Sequence, residues 1–388
     1  MKEPLPITGY SLCNALGIGR AAVRDALEAG RSGLGPSPVA VSFPTAVGAM
    51  PRELEPLTGA LSPWSTRIAR MVGLLIAELD GPLTAARARW RPERIAIVLG
   101  TSTAGAESTE RAYGYFVEHG VMPAEYDFRR QHTYGALLHV VHGLTGAAGP
   151  SWVVSTACTS SAKTLASASR LIEADLADAV ITGGVDTLCA MTLMGFRGLG
   201  ALSDGACRPF GEGRDGISIG EGGALLLLER RGDARALLAG VGETSDAYHI
   251  SAPHPEGRGA TEAMTQALAQ AGLAAEDIDH INAHGTGTPL NDIAESKAIA
   301  GIFGAQVPVV STKGYTGHTL GAAGSTEAAM AVMAIEEGFI PGSLGAAPLD
   351  ARIEVQVPLT TTRGRFRHVL SNSFAFGGNN TSVLVSAP

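Results

Sequence analysis

A chain of 388 residues is long enough for two packed halves or one large α/β domain, and too long for a small disulfide-stapled scaffold. Its 50 glycines and 21 prolines stay below the share that marks low complexity, so the chain is expected to fold. A formal net charge of −8 repels polyphosphates, which excludes nucleic acid as an expected partner.

The N-terminus carries Lys2 and Glu3 and lacks an apolar signal core, and the longest apolar runs, such as residues 224–228, are too short to span a bilayer. No membrane association and a cytoplasmic location are expected. Gly17-Ile18-Gly19-Arg20-Ala21-Ala22 matches a permissive dinucleotide fingerprint, but residues 35–45 hold no Asp or Glu for a ribose. The glycines are read as a turn into a helix over residues 21–29. Ile95-Ala96-Ile97-Val98-Leu99 predicts a strand running into Gly100-Thr101. His139 and His142, three apart, share one helical face but have no third ligand in sequence, so no metal site is expected. Val153-Val154-Ser155-Thr156 predicts a second strand, and the small residues over 157–179 predict a helix. Gly216-Ile217-Ser218-Ile219-Gly220 fits the serine-hydrolase pattern, yet a turn and a strand follow it, so Ser218 does not open a helix. Further on, residues 278–282 and 309–312 predict strands, residues 317–337 a helix, and residues 368–371 and 381–385 two more strands.

Two of these elements are echoes. Val309-Val310-Ser311-Thr312 repeats Val153-Val154-Ser155-Thr156, and the strand before His284-Gly285-Thr286 repeats the strand before Gly100-Thr101 in the same order. The spacing predicts duplicated halves, residues 1–235 and 236–388, with an insertion in the first near residues 105–150. Strands alternating with helices imply mainly parallel sheets, whose binding sites lie at the strand C-ends. Cys158, His284, Lys313 and His318 all fall there.

Cys158 follows a strand and precedes a helix rich in small polar residues, where backbone N–H groups are expected to stabilise a thiolate. Cys13, Cys189 and Cys207 have no base nearby in sequence and are read as buried apolar residues. His284 and His318 sit in glycine-rich loops that let a substrate approach the backbone.

Together these loops, with Ile7-Thr8-Gly9, Arg208-Pro209-Phe210, Arg214-Asp215-Gly216, Gly220-Glu221-Gly222 and Asn372-Ser373-Phe374-Ala375-Phe376-Gly377-Gly378-Asn379, resemble the elongating β-ketoacyl-acyl-carrier-protein synthases. The resemblance implies an α/β thiolase-like fold with duplicated halves in a five-layer αβαβα arrangement. It implies Cys158 as acylated nucleophile, His284 and His318 as its partners, and Lys313 and Glu327 as their support. The backbone amides of Cys158 and Phe376 are implied as an oxyanion hole, residues Phe374, Phe376, Gly377 and Gly378 as a gate, and Thr103 and Phe196 as walls of the acyl pocket. The implied reaction is decarboxylative condensation of a malonyl carrier thioester with a Cys-bound acyl chain, without metal or cofactor. Two neutral imidazoles of fixed tautomer would stabilise the carbanion, with cationic Lys313 keeping the rings uncharged.

The implied partners are acyl and malonyl acyl carrier protein, and a homodimer or a heterodimer with a related synthase. Arg67, Arg70, Arg129 and Arg130 are candidates for a basic patch that meets the acidic carrier. A non-decarboxylative thiolase would need a second cysteine late in the chain, and none follows Cys207. A chain-length-factor subunit would usually replace the nucleophile. The short segment over residues 202–208 and the divergent residues 134–142 leave fatty-acid elongation and polyketide-like or aryl-polyene synthesis both open.

Overall fold

Unbroken apolar runs form strands covered on both faces, and runs of small residues, mainly Ala and Ser, form the helices packed between them. The computed structural model describes residues 3–51 and 53–388. The first half contributes β1 (Leu5–Asn14), β2 (Ile95–Gly100), β3 (Ser151–Val154), β4 (Ala179–Asp186) and β5 (Gly222–Glu229). The second contributes β6 (Ala236–Ser245), β7 (His280–Asn282), β8 (Val309–Val310), β9 (His368–Phe374) and β10 (Asn379–Ser386). Spatial order is β3-β2-β4-β5-β1 and then β6-β10-β9-β7-β8. Each half therefore lays its strands in the order third, second, fourth, fifth, first. In each, the second strand is parallel to the third and fourth, and the fifth runs antiparallel. The halves join where Leu5–Ile7 pairs antiparallel with Ala236–Leu238.

The sequence echoes occupy equivalent places: residues 153–154 end β3 and residues 309–310 form β8, while β2 and β7 carry the other pair. The principal helices are α1 (Arg67–Glu78), α2 (Ala106–His119), α3 (Tyr134–Thr145), α4 (Ser160–Glu173), α5 (Ala190–Gly198), α6 (Arg258–Ala271), α7 (Pro289–Phe303) and α8 (Ala323–Glu337). Helices α4 and α8 pack on each other and each touches strands of both halves, which makes them the central layer. Small residues permit this closeness: a Cβ added at Gly324 would come within 2.6 Å of the Ala162 Cβ. Helices α1 and α3 cover the outer face of the first half, and α6 and α7 that of the second. The result is the five-layer αβαβα architecture.

Several local expectations shift. The helix after Cys158 is shorter than predicted: it starts at Ser160 and stops at Glu173, because Asp175 takes φ +57° to turn the chain into β4. The expected helix over residues 317–337 is broken at its start, with a short turn over Leu320–Ala322 ahead of α8. The insertion near residues 105–150 forms α2, a short helix Phe128–Gln131, and α3. His139 stacks on Trp64 at 4.0 Å, and His142 bonds to the Ala147 carbonyl and the Ser151 hydroxyl, so both histidines serve packing. No helix among the described residues is long and apolar enough to cross a membrane.

Candidate active site

The site is assembled from loops that leave the strand ends. After β3 the chain turns sharply: Ala157 adopts φ +51°, a strained conformation for a residue with a side chain. The turn is braced by the Ser160 hydroxyl, which donates to the Ala157 carbonyl at 2.6 Å and accepts from the Thr156 N–H at 2.9 Å. Cys158 at its tip lines a cavity of about 430 Å³ and is itself 7% exposed.

His318 comes from the other half, on the loop after the short helix Lys313–Thr316. Its Nε2 lies 3.0 Å from the Cys158 Sγ. The His318 backbone is held by the first half: its N–H donates to the Ser218 carbonyl at 2.7 Å, and its carbonyl accepts from the Gly220 N–H at 2.9 Å. Residues 216–220, which fit a hydrolase pattern in sequence, thus form a seat for this histidine. A Cβ at Gly220 would fall 2.2 Å from the Thr316 carbonyl oxygen, so only glycine permits the approach. Ser218 is buried, with its hydroxyl bonded to the Cys207 N–H and the Gly205 carbonyl, both of them backbone groups and neither a base.

His284 stands beyond β7 and lines the same cavity. Its ring is 5.3 Å from that of His318, nearly perpendicular, and 5.9 Å from that of Phe374. The loop is anchored by Glu295 of α7, whose carboxylate accepts the N–H groups of His284 and Gly285 at 2.8 Å each. Asp292, one turn earlier, accepts from the Phe210 and Gly287 N–H groups and lies near buried Arg214. Burial pushes the Glu295 carboxyl up to about 7 against the pull of its two amide donors. Sequence reading missed Asp292 and Glu295. Their signal was two acids three residues apart near the start of a helix, which also reads as ordinary acidic residues close to a helix N-terminus.

Lys313 and Glu327 form a fully buried ion pair beside the histidines. Burial first, and then the Lys313 cation, holds both imidazoles well below the usual histidine range, so they are uncharged at neutral pH. Charge is thus controlled as expected, but tautomer is not. The Nδ1 atoms of His284 and His318 are buried with no hydrogen-bond partner among the described residues, so no second group fixes which nitrogen carries the proton.

The expected lowering of the Cys158 pKa is reversed. The residue stands two positions ahead of α4, and burial pushes its thiol up to about 12 despite the Lys313 cation. It rests as a neutral thiol hydrogen-bonded to His318.

Phe376 and Phe374 line the cavity, and the Phe376 ring is 5.8 Å from that of Phe196, another wall residue. Phe374 is the last residue of β9 instead of a loop residue, while Gly377 and Gly378 take φ +86° and +77° in the connection to β10. Thr103 does not line the cavity: it is buried with its hydroxyl donated to Asp186. Arg67 is turned inward onto the buried Glu221 carboxylate, with Nε 2.9 Å from Oε2, and Arg70 bonds to Ser65 and the Leu54 carbonyl. Desolvated Glu221 demands a cation, which commits Arg67 to the fold. Arg129 and Arg130 are exposed on the short helix Phe128–Gln131, away from the cavity walls.

A buried thiol from one half and two neutral imidazoles from the other, brought to one cavity of a duplicated five-layer fold, are the arrangement of a thiolase-fold condensing enzyme. Comparison with known proteins agrees: the model of the β-ketoacyl synthase N-terminal domain matches residues 2–234, and that of the C-terminal domain residues 235–347. The 3-oxoacyl-[acyl-carrier-protein] synthase 2 of Coxiella burnetii (strain RSA 493 / Nine Mile phase I) is 32% identical, covering 99% of each chain. The Staphylococcus aureus protein of the same name is 36% identical over 76% of this chain and 77% of its own. Among solved structures, a ketosynthase (ApeO) in complex with its chain length factor (ApeC) from Xenorhabdus doucetiae superposes with a TM-score of 0.94 at 36% identity, covering 100% of this chain and 98% of that one. The chain belongs to the β-ketoacyl synthase family.

Proposed function

We propose that this chain is a 3-oxoacyl-[acyl-carrier-protein] synthase that joins a malonyl unit to an acyl chain carried on Cys158. The observation that carries the reading is the 3.0 Å contact between Cys158 Sγ and His318 Nε2, with His284 on the same cavity. In the first step the Cys158 sulfur attacks an acyl thioester while its proton passes to His318, and the carrier thiolate leaves with a proton. The amides of Cys158 and Phe376 are the proposed holders of the tetrahedral oxyanion. In the second step a malonyl thioester binds with its carbonyl oxygen facing both imidazoles. Carbon dioxide leaves, the imidazole N–H groups bear the developing enolate charge, and the carbanion attacks the acyl-Cys158 carbonyl. The Cys158 sulfur leaves as a thiolate and is reprotonated by one proton taken up from solvent, which balances the carboxylate charge lost with carbon dioxide.

Neutral rings suit both steps. His318 must accept a proton at Nε2 in the first and donate one there in the second, which the unpartnered Nδ1 atoms permit. The roles proposed for Lys313 and Glu327 follow from their pairing: the cation disfavours imidazolium, and the carboxylate makes its burial tolerable. Gating by Phe376 is proposed on its place in the cavity wall beside Phe196, and the role of Gly377 and Gly378 on the positive φ that each adopts just after it.

The solved ketosynthase complex with a chain length factor supports assembly with a related synthase as an alternative to a homodimer, and polyketide-like chains as an alternative to fatty acids. Incubation with acyl and malonyl carrier proteins, followed by intact-mass measurement, tests the reaction. An acyl adduct on Cys158, carbon dioxide release and a 3-oxoacyl carrier are expected; an adduct that persists on Cys158→Ala overturns the assignment.

A further inference from the structure

Asp186 ends β4, one strand away from the loop of Cys158, and is 0% exposed. No cation pairs with its carboxylate among the described residues. It is instead surrounded by donors: the hydroxyls of Thr101, Ser102 and Thr103, the N–H groups of Ser102 and Thr103, and the N–H of Gly321. A buried carboxylate survives without a cation only when donors of this number hold it. The first five belong to the chain just beyond β2, in the same half. The sixth belongs to the other half, three residues after His318.

The two oxygens divide these duties. Oδ1 takes Thr101, Ser102 N–H and both Thr103 donors, whereas Oδ2 takes the Ser102 hydroxyl at 2.7 Å and the Gly321 N–H at 2.6 Å, with a longer share of the Ser102 N–H. The close approach depends on glycine, since a Cβ at residue 321 would meet Oδ2 and the Ser102 nitrogen at 2.7 Å. Between His318 and Gly321 the backbone is strained, with Leu320 at φ +53°, so the loop needs an outside hold.

We propose that Asp186 is a positioning residue: from the half that carries Cys158, it fastens the loop that carries His318 and so sets the distance between thiol and imidazole. The inference rests on Cys158 and His318 being the reacting pair. The carboxylate has a second effect. The charged and titratable groups facing the thiol are Lys313, Asp186, Glu327 and His318, with His284 across the cavity, and the negative charge of Asp186 adds to burial in keeping the thiol protonated.

Asp186→Asn separates these effects from mere packing, because it keeps the shape. An amide has one acceptor oxygen. Oriented to keep the four donors on Oδ1, it presents its NH₂ group to the Gly321 N–H, so the link to the His318 loop is the one lost. A misplacement of this kind costs on the order of 10²-fold in rate. In a coupled assay with acyl and malonyl carrier proteins, Asp186→Asn is expected to lower kcat by about that factor while KM for the malonyl carrier stays within about threefold. The pH midpoint for iodoacetamide alkylation of Cys158 is expected to fall. A folded variant with wild-type kcat, or with an unmoved midpoint, overturns the proposal. Should Asp186→Asn not fold, Ser102→Ala removes one donor to Oδ2 and the longer acceptor of the Gly321 N–H; a several-fold loss of kcat is expected, and full activity overturns the proposal. Cys158→Ala run alongside keeps the two readings apart: if it remains active, the reacting pair is wrong, and if it is dead while Asp186→Asn is unimpaired, only the role of Asp186 fails.

Discussion

At Cys158 two physical effects compete, and their magnitudes decide the resting state. The nearby helix terminus and Lys313 favour a thiolate, but burial outweighs them and pushes the thiol to about 12. Because only the thiolate reacts, the rate of alkylation by iodoacetamide is expected to keep rising with pH beyond the ordinary thiol value of about 8.5. A plateau below that value would show that the helix terminus dominates. A thiol that rests protonated needs a base, and the proposed proton acceptor is His318, 3.0 Å away. His318→Ala is expected to lower acylation of Cys158 by roughly 10²-fold or more, and decarboxylation further still, since the enolate loses one of its two donors. Cys158→Ala is expected to abolish the acyl adduct while malonyl decarboxylation continues in part. Intact mass and carbon dioxide release read these effects separately. A His318→Ala enzyme with normal acylation would remove the proton-transfer role.

At the level of elements, the site depends on what holds its loops. The buried Lys313–Glu327 pair spans the short helix after β8 and α8. Removing one partner leaves an uncompensated buried charge, so Glu327→Gln is expected to cost about 3–5 kcal/mol of stability, seen as a lower Tm. An unchanged Tm would mean that the cation finds another partner. The segment between β9 and β10 is held differently. The Gly378 carbonyl accepts from the Asp246 N–H, and the Gly377 N–H donates to the Ile250 carbonyl, so this proposed gate is tied to the loop after β6 by two backbone bonds. A Cβ at Gly377 meets nothing closer than 4.0 Å, which leaves its φ of +86° as the sole obstacle to a side chain. Gly377→Ala is therefore expected to strain the connection by about 1 kcal/mol and to slow condensation while leaving the fold intact. Steady-state turnover with a Tm control checks this; normal turnover would separate the gate from the backbone conformation at residue 377.

For the whole molecule, the two halves meet along β1 and β6 and share α4 and α8. At the far end of the first half, β3 pairs only with β2 among the described residues and leaves an open edge, with Trp152 exposed on it. The insertion before it adds exposed Tyr113, Val117, Val121, Met122 and Phe128. An open strand edge with apolar neighbours calls for a cover, and a second copy or a related synthase is the proposed one. Trp152→Asp is expected to reduce the mass measured by light scattering to that of a single chain. A mass unaffected by the substitution would place the interface elsewhere.

Much was legible in the order of residues because short-range rules govern it. The echo of residues 153–156 in residues 309–312 marked equivalent strands, and Cys158, His284, Lys313 and His318 were found because strand ends carry sites in parallel sheets. Residue type and spacing also separated Ser218 from a nucleophile. What depended on long-range neighbours was not legible. Whether an arginine is a surface charge or the counter-ion of a buried Glu221, whether Thr103 faces a cavity or Asp186, and whether a thiol near a helix is acidic or desolvated are set by groups far away in the chain. Burial and distance arise only when the halves pack, and they decide charge state; the sequence by itself determined which chemical groups were present and at which strand ends they stood.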